Sequence, residues 1–191
     1  LIWCLLIGVH IIVLNKEEAF VSDYVVFDLE TTGLDATNDR IIEIGALKYQ
    51  NNELVDEFSV LINPEVELPP IITRITGLND KDLQDKKTID SVLPEFLSFI
   101  GDYTLIAHNS EFDLGFIEEN IKRLNLEMIN NKNIDTIEIA RKYIPKAYNY
   151  KLETLKKYFH LEFGSHRSVD DCKTTNYVYQ YCKDKALAIK S

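Results

Sequence analysis

The segment YVVFDLETTGL, residues 24–34, joins a β-strand pattern to two acidic side chains. Its first seven residues are mostly β-branched, aromatic or aliphatic, which favours a strand, and the threonines and glycine that follow predict a turn. Successive side chains of a strand point to opposite faces, so Asp28 and Glu30 share one face. One interpretation of this pair is the solvated face of an exposed strand. The apolar neighbours instead indicate a central strand that ends at the pair, where the sites of open α/β sheets tend to lie.

Two further strands follow this segment along the chain. IIEIGALKYQ at 41–50 and ELVDEFSVLI at 53–62 are rich in strand-forming residues, and the dipeptide Asn51-Asn52 between them is typical of a tight hairpin. We therefore expect three neighbouring strands in meander order.

The second half of the chain alternates helices with short strands. Apolar residues at helical spacing predict a helix over 89–100, which Gly101 ends. The other expected elements are a strand at 104–108, a helix at 111–124, a brief strand that enters a helix within 133–143, and helices at 151–159 and 168–182. Strands first and alternation later predict a mixed sheet covered by helices.

Composition limits the class of protein. The chain has 191 residues, of which 46% are hydrophobic and 27% charged, which predicts one or two ordinary globular domains. The three cysteines form no CxxC pair, which favours a reducing, cytoplasmic location. Residues 1–14 are apolar but fall short of the ~20 residues of a bilayer span and lack signal-peptide features, so we expect no membrane contact. We expect an extension of unassigned role at 1–22, a domain at 23–185 and a tail at 186–191.

The charge is negative overall and unevenly distributed. A net charge of −10 disfavours a protein that coats nucleic acid through a broad basic surface. Acidic residues dominate 16–57, a composition suited to cations, whereas lysines and tyrosines are interleaved over 141–157. The second region has the composition of a contact to single-stranded nucleic acid, and equally that of an amphipathic helix face with core tyrosines.

Two more segments place acidic residues at the start of a predicted helix. HNSEFD at 108–113 follows a strand, and HRSVDD at 166–171 precedes the last helix. Each pattern fits a capped helix N-terminus, with Ser110 and Ser168 as the capping residues. The alternative is one shared site, because four carboxylates from three separate segments suit hard divalent cations such as magnesium. Two such ions about 4 Å apart can clamp the attacking and leaving oxygens of a phosphodiester displacement.

The order of these motifs resembles that of the DEDDh family of 3′→5′ exonucleases. The matching segments are DLETTGL at 28–34, ITGL at 75–78, HNSEFD at 108–113 and HRSVDD at 166–171. The similarity spans about residues 23–183 and is greatest to the polymerase-associated branch, which includes the proofreading epsilon subunit of DNA polymerase III. It implies an α/β fold with a ribonuclease-H-like mixed five-stranded sheet flanked by helices on both faces. It also implies removal of nucleoside monophosphates from the 3′ end of DNA with two divalent ions, Mg²⁺ or Mn²⁺.

The resemblance assigns catalytic roles to five residues: Asp28, Glu30, Asp113, His166 and Asp171. It implies that Asp28, Glu30 and Asp171 ligate the tighter ion. Asp28 also bridges to the second ion, and Asp113 acts nearby or through water. His166 corresponds to the general base, and an imidazole has to be neutral in that role, so activity is expected to fall as the pH drops through the histidine titration.

Contacts to the substrate are implied in the same way. Leu34 and the turn that contains Ile75 and Thr76 would pack on the terminal nucleotide, while Thr31 and Asn109 would contact its sugar or phosphate. The expected partner is a single-stranded or frayed 3′ end of DNA, with a DNA polymerase or helicase subunit as a second partner.

Three functions stay open at this point. The first is a proofreading-type DNA exonuclease, and the second is an exonuclease that trims the 3′ ends of RNA. The third is a weakly active nucleic-acid-binding accessory module of a polymerase or helicase. All five catalytic positions hold the expected residue types, which argues against the third function. Whether the domain works alone or within a longer chain also stays open.

Overall fold

The computed structural model describes residues 20–189, so residues 1–19 of the expected extension at 1–22 lie outside the described part. Five strands form one sheet: β1 (Tyr24–Thr31), β2 (Ile41–Gln50), β3 (Glu53–Leu61), β4 (Thr104–Ala107) and β5 (Asn133–Asp135). Their order is β3-β2-β1-β4-β5. The first three strands pair antiparallel, and β4 and β5 continue the sheet parallel to β1. The expected mixed five-stranded sheet is confirmed.

Seven helices complete the described part: α1 (Pro70–Thr76), α2 (Asp80–Leu83), α3 (Ile89–Ile100), α4 (Ser110–Arg123), α5 (Thr136–Tyr143), α6 (Leu152–Tyr158) and α7 (Ser168–Ala188). The sequence pattern predicts the last five. It misses α1, which begins directly after Pro69 and Pro70 in a stretch that looks like a loop, and α2, whose 4 residues are too few to show a helical period. Helix α7 also continues to Ala188 instead of ending at 182. None of the helices within residues 20–189 combines the length and the hydropathy that a bilayer span requires.

The alternation of β1 sends its side chains into two different cores. Val25 and Phe27 pack in a buried cluster that includes residues of α3 and α4, such as Phe96. Tyr24 and Val26 pack on the other face, against Tyr179 of α7. Helices therefore cover both faces of the sheet, as expected, and the face that carries Asp28 and Glu30 is the face that α7 covers.

Close packing of α7 on β2 depends on Gly45. This glycine lies opposite Asp28 in the antiparallel register of β1 and β2. A Cβ atom at this position would lie 2.4 Å from Oγ of Ser168, the first residue of α7. The absence of a side chain at Gly45 thus lets the N-terminus of α7 approach the acidic end of β1.

Candidate active site

Asp28 and Glu30 lie near the end of β1, on the face predicted from the alternation of the strand. Burial raises the pKa of Asp28 well above its ordinary value, and the carboxylates of Asp113, Asp171 and Glu30 raise it further. The pKa of Glu30 rises to about 8, again through burial first and then through the charge of Asp171. The two side chains are therefore part of a cluster of acids and do not form a solvated strand face.

Asp113 reaches the same place from α4. Its side chain is buried, and Oδ1 accepts a hydrogen bond of 3.1 Å from the main-chain amide of Leu29. Burial raises the pKa of Asp113 to about 8. The capping-box interpretation of this segment is wrong: Asn109 is the N-cap, in the left-handed conformation, and Ser110 is already helical. Asp113 is thus directed at β1 and does not cap its own helix.

Asp171 comes from the first turn of α7. Its Oδ2 accepts a hydrogen bond of 2.9 Å from the main-chain amide of His166, and burial raises its pKa to about 6. Ser168 is not the N-cap, because Arg167 holds that position and its side chain makes no capping bond. Within residues 20–189, the buried Oγ of Ser168 has no hydrogen-bond partner. The second capping prediction is therefore also wrong.

His166 completes the group from an exposed turn before α7. Its φ of 57° lies in the left-handed region, which is unusual for a residue with a side chain. Ligand atoms of Glu30, His166 and Asp171 lie within 4.8 Å of one another. The structure thus brings three of the five expected residues within reach of one ion, and the charges of the other two, Asp28 and Asp113, act on the same group of acids.

Sequence reasoning missed an ion pair at the edge of this cluster. Arg167 donates from Nε to the two carboxylate oxygens of Glu43, at 3.1 and 3.3 Å, and from Nη2 at 3.2 Å. Glu43 belongs to β2 and lies directly opposite Glu30, with its side chain only 2% exposed. The acid-rich composition of 16–57 includes Glu43, but no local pattern links it to an arginine 124 residues away.

The donor set fits hard divalent cations. The carboxylates of Glu30 and Asp171, both with raised pKa values, lie with the imidazole of His166 close enough to share one ion, and the charge of Asp171 also acts on Asp28. Oxygen-rich sets of this kind suit Mg²⁺ or Mn²⁺. Buried acids that repel one another are costly unless a cation or a proton compensates them. A bound cation would let Asp28, Glu30 and Asp171 ionise together.

The residues expected to contact substrate differ in their surroundings. Leu34 is 86% exposed, and Ile75 is also exposed near the C-terminal end of α1. The hydroxyls of Thr31 and Thr76 are buried and donate to backbone carbonyls of Gly33 and Ile72. Asn109 is exposed between β4 and α4.

The sequence of this chain is similar to those of known exonucleases and DNA polymerases. The family model RNase_T, described as an exonuclease, matches residues 25–179. Over 175 residues the chain is 39% identical to a "DNA polymerase III PolC-type" of Clostridium perfringens, and the match covers 91% of this chain and 12% of that protein. The protein of the same name from Bacillus subtilis is 41% identical over 157 residues, covering 81% of this chain and 11% of that protein. The chain therefore spans a small part of the length of these relatives.

Solved structures share the fold. "Exonuclease X in complex with 5′ overhanging duplex DNA" superposes with a TM-score of 0.66 at 25% identity, covering 84% of this chain and 92% of that one. Exonuclease I of E. coli, in complex with a dT13 oligonucleotide, gives a TM-score of 0.77 at 16% identity and covers 88% and 42%. The second likeness concerns the fold alone.

Proposed function

The chain belongs to the RNase_T family of exonucleases, and from this we propose that it removes nucleoside monophosphates from the 3′ end of DNA with divalent metal ions. The observation that carries the proposal is the convergence of acids from β1, α4 and α7 with the histidine of the turn before α7: Asp28, Glu30, Asp113, Asp171 and His166. DNA is favoured as the substrate because the relatives from C. perfringens and B. subtilis are DNA polymerases.

Each acid has a place in the proposed metal site. Asp28, Glu30 and Asp171 would hold the first ion, Asp28 would also serve the second, and Asp113 would act nearby or through water. When bound, two such ions would supply charge that stabilises the attacking and leaving oxygens of the phosphodiester. Either Mg²⁺ or Mn²⁺ suits oxygen ligands of this kind.

The residues of the chain supply the remaining steps. The imidazole of His166 accepts the proton of the attacking water, and its neighbour Asp171 fixes the turn through the bond to the His166 amide. Water attacks the terminal phosphodiester, the bond to the 3′ oxygen of the penultimate nucleotide breaks, and a nucleoside monophosphate leaves. Leu34 and Ile75, which are exposed, would pack on the terminal nucleotide together with the turn at Thr76. Thr31 and Asn109 would contact its sugar or phosphate.

The likeness to polymerases also bears on partners and location. We infer that the substrate is a single-stranded or frayed 3′ end and that the chain acts together with a DNA polymerase or helicase subunit in the cytoplasm. The nuclease domain then spans residues 23–185, which include the family match at 25–179.

A ladder assay tests the proposal. Single-stranded DNA, duplex DNA and RNA of one sequence, each labelled at the 5′ end, are incubated with Mg²⁺, Mn²⁺ or EDTA. We expect a ladder that shortens from the 3′ end of DNA only when metal is present. Asp171→Asn should slow the degradation of DNA at least about a hundredfold, since a lost metal ligand removes several kcal/mol of charge stabilisation. Asp170→Asn is the matched control, because Asp170 pairs with Lys173 at 2.9 Å.

Two alternatives predict other results. Faster degradation of RNA than of DNA in the ladder assay would favour an RNA-trimming enzyme. An absent ladder, together with DNA binding in fluorescence anisotropy and no uptake of metal in calorimetry, would favour a weakly active accessory module. Degradation that persists in EDTA would contradict the proposed mechanism.

A further inference from the structure

The segment that joins α5 to α6 carries an exposed aromatic side chain, that of Tyr148. Tyr148 is 95% exposed, more than any other large hydrophobic side chain within residues 20–189. Lys146 and Lys151 flank it and are also exposed. Among the described residues, neither lysine is paired with a carboxylate. The segment 145–151 therefore presents a free ring between two free positive charges.

Hydrogen bonds hold the backbone on both sides of Tyr148. The amide of Ala147 donates to the carbonyl of Ile144 at 3.1 Å, and the hydroxyl of Tyr150 donates to the same carbonyl at 3.4 Å. The amide of Lys151 donates to the side chain of Asn149 at 3.0 Å. Hydrogen bonds thus fix the backbone that carries the exposed ring.

Segment 145–151 is also tied to both sides of the candidate active site. The carbonyl of Tyr150 accepts a hydrogen bond of 2.8 Å from Nε2 of His108, which directly precedes Asn109 and α4. Helix α6 begins where the segment ends, and its Lys156 donates to the carbonyl of Gly164 at 2.7 Å, two residues before His166. The segment therefore contacts the loop that leads into α4, and α6, which follows it, contacts the turn that leads to His166.

We propose that segment 145–151 binds the single strand upstream of the terminal nucleotide, with a base stacked on Tyr148 and backbone phosphates beside Lys146 and Lys151. The proposal rests on the nuclease function above. Stacking on an aromatic ring tolerates any base, and lysines release counterions from the backbone. A chain with a net charge of −10 needs such a local basic track to hold a polyanion near a cluster of acids.

Two substrates separate strand binding from chemistry. The p-nitrophenyl ester of thymidine 5′-monophosphate has a scissile phosphodiester and no upstream strand, whereas oligodeoxythymidylates of increasing length fill the proposed track. For Tyr148→Ala we expect KM for long oligonucleotides to rise about tenfold, with the rate on the small ester unchanged. Tyr148→Phe keeps the ring and should behave like the unmodified protein.

The lysines are tested by salt dependence. The double variant Lys146→Glu/Lys151→Glu should weaken oligonucleotide binding and flatten its dependence on salt concentration. Lys132→Glu is the matched control, because Lys132 is exposed just before β5, at the opposite end of the parallel strands. An unchanged KM in Tyr148→Ala or an unchanged salt slope in the double variant would overturn the proposal.

Binding without turnover keeps this test independent of the nuclease function. Fluorescence anisotropy of a labelled oligonucleotide in EDTA should show the same loss of affinity in Tyr148→Ala. An affinity equal to that of the unmodified protein would contradict strand binding by segment 145–151. A chain that binds the oligonucleotide through Tyr148 but hydrolyses neither substrate would contradict the proposed function alone.

The ion pair between Glu43 and Arg167 carries a second, independent inference. Arg167 follows His166 directly and is the N-cap of α7, where its carbonyl accepts hydrogen bonds from the amides of Asp170 and Asp171 at 2.9 and 3.0 Å. Its side chain is fixed on β2 through Glu43, opposite Glu30. One arginine thus joins the strand face of the site to the turn that carries the imidazole.

We propose that Arg167 is a positioning residue that holds His166 in its left-handed turn and keeps Glu43 apart from the metal-binding acids. A positive φ is costly for histidine and needs support from its surroundings. Paired contacts between a guanidinium and a carboxylate supply directional support, and they compensate the charge of a nearly buried glutamate.

The split between kcat and KM tests this role. In Arg167→Ala we expect kcat on the p-nitrophenyl ester to fall about 10- to 100-fold, as for a displaced catalytic group, with KM for oligonucleotides changed little. Arg167→Lys should recover part of the rate, and added guanidinium should recover part of it in Arg167→Ala. Glu43→Gln, which keeps an acceptor for Arg167, serves as the milder variant if Arg167→Ala fails to fold. A normal kcat in folded Arg167→Ala, or an equal loss without rescue in folded Arg167→Lys, would overturn the proposal.

Discussion

The main-chain amide of Leu29 donates a hydrogen bond of 3.1 Å to Oδ1 of Asp113. Leu29 lies between Asp28 and Glu30, so this bond ties the first turn of α4 to the acidic end of β1. Asp113 therefore combines two properties, an acceptor that supports the fold and a charge that supports the proposed metal site.

Substitutions at Asp113 should separate these two properties. Asp113→Asn keeps a side-chain oxygen as acceptor, so we expect unchanged or higher stability together with at least about tenfold lower nuclease activity. Asp113→Ala leaves the buried amide of Leu29 without a partner and should lower the free energy of unfolding by about 1–3 kcal/mol. Urea denaturation and the ladder assay measure the two effects. Full activity in Asp113→Asn would show that the charge is not needed.

The raised carboxyl pKa values predict how stability depends on pH. Free Asp and Glu titrate near pH 4, whereas burial raises the pKa of Asp171 to about 6 and that of Glu30 to about 8. The folded state therefore binds protons more tightly than the unfolded state, and the stability that these groups contribute below pH 4 is lost as the pH rises to about 8.

Denaturant unfolding in EDTA checks this dependence. We expect the free energy of unfolding to fall between about pH 5 and pH 8, and added Mg²⁺ to raise the melting temperature more at the higher pH. The double variant Glu30→Gln/Asp113→Asn should flatten the fall. A metal-free stability that stays level or increases over this range would contradict the proposed cluster.

Gly45 offers a test of how α7 is placed. In Gly45→Ala the new Cβ would meet Oγ of Ser168 at 2.4 Å, so we expect a loss of about 1–3 kcal/mol in the free energy of unfolding and lower activity, because α7 carries Asp171. Gly115→Ala is the control. It lies within α4 with no atom in the way, so alanine should stabilise the helix by about 0.5–1 kcal/mol. Equal stability of the two variants would show that α7 packs on β2 differently.

The proposed base is tested by its own variant and by an exposed histidine elsewhere. His166→Ala should lower kcat about 10²- to 10⁴-fold. His160→Ala, at an exposed position after α6, should leave kcat unchanged. Steady-state kinetics on single-stranded DNA at saturating Mg²⁺ measures both rates. A normal kcat in folded His166→Ala would exclude this histidine as the base.

Local patterns account for most of what the sequence predicted correctly. The period of two in residues 24–30 places Asp28 and Glu30 on one face, and the dipeptide Asn51-Asn52 predicts the hairpin that its φ values of 52° and 66° confirm. Both signals involve residues close together in the chain.

Contacts between distant residues account for the failures. The segment 108–113 looks like a capping box, but its aspartate binds Leu29, 84 residues away. Glu43 and Arg167 are 124 residues apart, and each alone looks like an ordinary surface charge. A single sequence holds no signal for such pairs, because the sheet brings them together only after β1, β2 and α7 have packed.

Metal binding measured together with hydrolysis tests the central claim most directly. Isothermal titration of the chain with Mn²⁺, paired with the ladder assay on the same samples, should give about two ions per chain and metal-dependent shortening from the 3′ end. In Asp28→Asn we expect both the heat of binding and the ladder to be lost. Hydrolysis by a chain that binds no Mn²⁺, or an Asp28→Asn chain that binds the ion and degrades DNA at the normal rate, would contradict the account.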